Sequence, residues 1–183
     1  LAAAQEAQRL DPQNIGAMYQ LGIAYLYVGD YVAAKNSFEI VSTLLPGSAH
    51  AHLQIGLVEA ARGNRSEAET ELQLAERIYG AEIPTASYPQ LAMAYTQIGR
   101  QEEANRFSQA LQVRAENSQV GPAVRSLMNI ALEDYDQALE WLEIAVNDYD
   151  PDMLSLGAIK ANPFGIPALE EPRFQLVRDQ IGN

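Results

Sequence analysis

Residues 21–38 read LGIAYLYVGDYVAAKNSF, and the phrase returns as IGLVEAARGNRSEAETEL at 55–72 and as LAMAYTQIGRQEEANRFS at 91–108. The offsets are 34 and 36 residues. A chain that restates one pattern at such a period is built from one supersecondary unit in series. Each copy buries its apolar side against the next.

The columns of the alignment say what the unit is. Gly22, Gly56 and Ala92 share one column, and Ala34, Ala68 and Ala104 share another. Small side chains in both allow two antiparallel helices to approach closely. Between them Gly29, Gly63 and Gly99 form a third column, where glycine can take the left-handed conformation that ends the first helix. Asp30, Asn64 or Arg100 follows, and a second helix starts there. Pro12 and Pro46 each close one unit and aim the chain into the next. The third unit arrives two residues late because Ile83 and Pro84 lengthen the connection.

These columns resemble the tetratricopeptide repeat. The first unit matches at Met18, Leu21, Gly22, Tyr25, Ala34, Phe38 and Pro46, with Val41 replacing the second alanine. The second keeps Gly56, Ala68, Leu72 and Ala75 but has His52 at the bulky position and Glu59 where tyrosine is usual. The third keeps Tyr88, Leu91, Ala92, Tyr95 and Ala104, with Phe107 one place early. A fourth unit is legible in EDYDQALEWLEIAV (133–146), but its first helix, opening at Gly121-Pro122, lacks the Leu-Gly pair.

The fold class predicted is all-α. The resemblance implies a solenoid, a right-handed superhelix of antiparallel helix pairs, with a C-terminal capping helix. Residues 1–14 read as the second helix of a truncated upstream repeat, so the chain reads as a fragment of something longer. The repeats are placed at 15–48, 49–82 and 85–118, with a degenerate fourth at 119–152 and the cap at 153–183. Pro163-Phe164 and Pro172-Arg173-Phe174 resemble the tails of bacterial proteins that fuse such repeats to a regulatory or catalytic domain. Phe174, Val177 and Ile181 form a stripe expected to dock on the fourth unit, with Trp141 as neighbour.

Composition narrows function. The formal net charge of −12 repels a phosphate backbone and argues against nucleic acid as the partner of this segment, and against anionic membrane surfaces. No apolar stretch reaches the roughly 20 residues of a membrane helix, so no membrane insertion is expected. There is no cysteine, which removes thiolate catalysis and cysteine-based zinc sites. A cytoplasmic location is favoured, and a periplasmic one stays open because the native N-terminus reads as missing from this stretch.

No phosphate loop, nucleophile elbow or dinucleotide fingerprint is present, and no pair stands out among the 24 acids, so the chain is read as non-enzymatic with no cofactor. His50 and His52, two apart on a helix, face different ways and cannot share a metal. Asp148, Asp150 and Asp152 begin like a calcium loop, but Met153 and Ile159 stand where glycine and glutamate are needed. No metal site is expected. The acids from Glu133 to Asp152 read first as a solvated face and second as an electrostatic patch for a basic partner, and Trp141 reads as core with Ala138, Leu142 and Ala145.

The resemblance implies a concave groove lined by first helices. The repeat register puts Tyr19, Gln20, Ile23 and Tyr27 on it, then Leu53, Gln54 and Leu57, then Gln90, Met93 and Gln97. Glutamine recurs at one column, suiting an extended peptide backbone, while an equal reading makes it a good exposed helix former. The family's basic clamp for peptide carboxylates is not matched at these positions. Lys35 and Glu69 are expected on the exposed second-helix side. The function expected is a non-catalytic module binding a peptide or partner protein. Two alternatives are a regulatory arm of a larger protein and a scaffold that self-assembles into a homo-oligomer.

Overall fold

The chain was analysed as a computed structural model, which describes residues 1–117, 120–148, 150 and 153–181. Residues 118, 119 and 152, at two of the expected repeat boundaries, lie outside these. The described residues hold helices and no strand. In order these are α1 (Ala2–Leu10), α2 (Ile15–Tyr27), α3 (Tyr31–Leu44), α4 (Ala49–Ala61), α5 (Arg65–Tyr79), α6 (Ser87–Gln97), α7 (Gln101–Asn117), α8 (Pro122–Ala131), α9 (Tyr135–Asn147), α10 (Met153–Ala161), a 3-10 turn (Pro167–Glu170) and α11 (Pro172–Arg178). They divide into two compact units, Leu1–Ile83 and Pro84–Asn183, a division the repeat pattern does not announce. The boundary falls at the inserted Ile83-Pro84, after Gly80 has ended α5 with φ 56°.

In the first unit α2 packs on α3, α3 on α4 and α4 on α5, with α1 against α2. The starts are fixed by caps. Asn14, Asp30 and Ser48 accept hydrogen bonds from the backbone N–H of Ala17, Ala33 and Ala51. The ends are fixed by one turn used repeatedly. Gly29 N–H donates to Leu26 O and Asp30 N–H to Tyr25 O, at 3.0 and 2.9 Å, with Gly29 at φ 77°. The same pair of bonds recurs at Gly63/Asn64, at Gly99/Arg100 and at Glu133/Asp134. In the last, Glu133 adopts φ 63°, where a side chain is strained. The fourth unit therefore makes the repeat's turn without its glycine.

The small columns act as contact points. A Cβ on Gly22 would lie 2.6 Å from Phe38 Cε1, and one on Gly56 would lie 2.8 Å from Leu72 Cδ2. Ala34, Ala68 and Ala104 are fully buried. In the second unit Phe107, though displaced by one place, stacks on Tyr95 at 5.9 Å and meets Tyr88 edge-on at 6.3 Å. There α6 packs on α7 and α8, and α8 on α9. Ser126 in the glycine column donates its hydroxyl to Ala138 O at 2.8 Å, replacing close approach by a hydrogen bond.

The C-terminal segment packs on the fourth repeat, α10 against α8 and α11 against α9. Phe174, Val177 and Ile181 are buried. Buried Arg178 ties the segment together, donating to Leu169 O at 2.5 Å and Lys160 O at 2.6 Å, with Glu170 at 3.1 Å. Leu139, Glu143 and Asn147 of α9 share a cleft with Arg173, Leu176 and Val177 of α11. Two expectations are corrected. Trp141 is half-buried beneath the Arg125 guanidinium, 4.9 Å from its ring centre, so it is not core. Asp150 is also no part of a solvated acidic face. It is buried and its carboxylate accepts the Ala123 N–H at 3.0 Å, capping α8 from outside the helix. Tyr149, Pro151 and Asp152 of that stretch, and the last two residues of the tail, lie outside the described residues.

Candidate interaction face of the first helices

The residues assigned to the first-helix face separate into packed and accessible sets. In the first unit Gln20 is exposed and Tyr19 and Tyr27 are half-buried. Ile23, Leu53, Gln54 and Leu57 are buried, Leu53 completely. In the second unit Gln90 and Gln97 are half-buried and Met93 is buried. Of the ten residues the register assigns to the face, five are thus buried. Register fixes which way a side chain points but not what covers it. α4 shows this best, with Ala49, Ala51 and every residue from Leu53 to Ala60 buried, as befits a helix apolar nearly all round. The glutamine column is accordingly uneven, with Gln20 in solvent, Gln54 enclosed and Gln90 between.

What remains open in the first unit is a polar aromatic cluster. Tyr19 of α2 lies 5.5 Å from Phe38 and 5.9 Å from His50 of α4, and His50 meets Tyr79 of α5 edge-on at 6.1 Å. Tyr79 Oη and His50 Nδ1 are 2.6 Å apart, and with the phenol donating, Nδ1 is unprotonated. Burial lowers the His50 pKa, which favours the same neutral ring. Burial also raises the Tyr19 phenol, helped by Tyr79 and Tyr27. Gln54 pulls the other way without meeting hydrogen-bond geometry. Sequence reasoning gave His50 no specific partner and missed Tyr79. Tyr79 closes the second helix, at a column the repeat pattern leaves unspecified.

Among the described residues, the buried side-chain atoms without a hydrogen-bond partner are Tyr19 Oη, Gln97 Oε1 and Arg178 Nε. Two of these three belong to residues the register had placed on the first-helix face. A buried polar atom left unpaired costs about 1–3 kcal/mol, so two on one class of position need an explanation.

His52 turns away from this cluster and pairs with Glu71 at 2.7 Å. Behind it Glu59, with a fully buried side chain, is held by Lys35 of α3 at 2.9 Å, Arg62 at 2.8 Å and the Asn64 amide. Lys35 also reaches Glu67 at 2.6 Å, so it is a buried-network residue and not the exposed one expected. Burial alone would raise the Glu59 pKa. The hydrogen bonds from Lys35 and Asn64, with the charges of Lys35 and Arg62, overturn this and hold it below the usual range.

Comparison with known proteins agrees with the helix-pair geometry. Over 68 residues the chain is 35% identical to the tetratricopeptide repeat and J domain-containing co-chaperone DNJ1 of Cryptococcus neoformans var. grubii. The chain carries a tetratricopeptide-like helical repeat. The match covers 37% of this chain and 13% of that co-chaperone, so it speaks for the repeat and not for the whole relative. No protein-family profile matches the chain. No helix among the described residues is long and apolar enough to cross a membrane.

Proposed function

We propose that this chain is a non-catalytic interaction module whose first-helix face receives an extended segment of a partner protein. The observation that carries this reading is the unpartnered buried Tyr19 hydroxyl on α2 of the first unit; in the second unit, taken by itself, the Gln97 carbonyl on α6 is left in the same state. An extended backbone offers what both lack, a carbonyl for the hydroxyl and an N–H for the amide oxygen. The match to a co-chaperone carrying tetratricopeptide repeats supports a protein partner. With a net charge of −12, a neutral or basic segment is favoured over an acidic one.

Affinity capture from the native lysate tests this, comparing the unaltered chain with Tyr19→Ala and Gln97→Ala. Gln73→Ala and Gln109→Ala, on exposed second-helix sites, serve as controls. Each of the first two should weaken capture of a partner that the controls retain. Retention by Tyr19→Ala and Gln97→Ala with loss by the controls would move the partner to the second-helix side.

A further inference from the structure

The fourth repeat departs from the other three at a column that is aliphatic in each of them, and a cavity lies beside the residue that stands there. Leu21, Ile55 and Leu91 fill that column and are buried in their units. Thirty-four residues after Leu91 stands Arg125. Around it α7, α8 and α9 leave a cleft of about 290 Å3, at the small end of ligand pockets (roughly 300–1,000 Å3).

The cleft is chemically divided. On one side the Arg125 guanidinium lies over the Trp141 ring, and its Nε donates to Val120 O at 3.0 Å. These two contacts hold the plane of the group, while its terminal nitrogens have no partner among the described residues. Asp134 also lines the cleft, with one carboxylate oxygen accepting the Gln137 N–H at 3.3 Å to cap α9. Arg125 and Asp134 make no ion pair with each other, although both line the same small space. Leu111 and Met128 supply apolar wall. Ser108, Gln112, Asn129 and Gln137 line it as well, so a cation fixed by stacking and an exposed carboxylate border one cavity of mixed polar and apolar lining, which suits a small molecule with both charges and a short apolar tail.

We propose that this cleft binds a free α-amino acid with an apolar side chain. The carboxylate is held by the Arg125 terminal nitrogens, the ammonium by the free oxygen of Asp134, and the side chain lies against Leu111 and Met128. A simple anion would meet repulsion from Asp134 and from the acidic chain, and a simple cation would meet Arg125. A zwitterion satisfies both groups and adds no net charge. The site is distinct from the first-helix face proposed for the protein partner, and neither reading depends on the other.

Trp141 is the chain's single tryptophan, so its fluorescence reports this cleft directly. The full chain is titrated with L-leucine, N-acetyl-leucine (no ammonium) and leucinamide (no carboxylate). L-leucine should change Trp141 emission saturably below about 10 mM, and each blocked analogue should bind at least about tenfold more weakly. Arg125→Leu restores the leucine of the column and Asp134→Asn retains a capping side chain, so both should melt cooperatively while losing the L-leucine response. No saturable change with L-leucine would overturn the proposal. So would equal binding of L-leucine and either analogue, or an undiminished response in either folded variant.

Discussion

Glu59 stands where the repeat pattern carries tyrosine, and the structure shows why the exchange is tolerated. The carboxylate is buried, but three donors converge on it, so the energetics turn on whether those donors are present. Lys35→Met should destabilise the chain by about 3 kcal/mol at pH 7, because it leaves a buried charge with fewer partners. The pH dependence follows from the sign of the shift. The Glu59 pKa is lower folded than unfolded, so its stabilisation is complete above the ordinary value of 4.5 and is lost as pH falls through the depressed folded value. Denaturant titrations should therefore show the Lys35→Met penalty shrinking in acid. A penalty independent of pH would place the effect in packing alone. Glu133 gives a second test at this scale. Its φ of 63° is the glycine geometry of the other three turns, so Glu133→Gly should stabilise by up to about 1 kcal/mol in thermal melts. Neither feature is legible beforehand, because a charged residue in a repeat column gives no sign of whether a neighbour will meet it.

At the scale of the element, the helix pair was the most legible part. The glycine turns, the buried alanines and the antiparallel pairing all follow from columns of small residues, since backbone approach admits few other side chains. Gly22 faces Phe38 at a distance no Cβ could occupy without movement, so Gly22→Ala should cost about 1–3 kcal/mol and lower the melting temperature. Gly29→Ala meets no neighbour and tests a different quantity, the left-handed turn itself. A Gly22→Ala protein as stable as the original would contradict the packing of α2 on α3. The first-helix face was half legible. The register gave direction, yet Leu53, Leu57 and Met93 are covered by packing that a column of apolar residues does not distinguish from a binding surface. The α9 helix taught the same lesson in reverse. Its Trp141 read as core from spacing and proved to be half-buried, because the preceding helix offers Arg125 where the other repeats offer an aliphatic residue.

For the whole molecule, the period located four helix pairs, but the division at Ile83 and Pro84 rests on a connection whose two extra residues read only as a delay in the pattern. The C-terminal segment was legible through its apolar stripe. Its attachment through Arg178, whose guanidinium binds two carbonyls, was not, since an arginine near a chain end ordinarily reads as solvated. The central claim, that the first-helix face is the working surface, is tested most directly by site-specific photo-crosslinking. A benzoylphenylalanine placed at Gln20, exposed on α2, and another at Gln73, exposed on α5, would be irradiated in the native lysate. The account predicts a discrete covalent protein adduct from position 20, lost when Tyr19→Ala is added, and none from position 73. An adduct from position 73 with none from position 20 would contradict it.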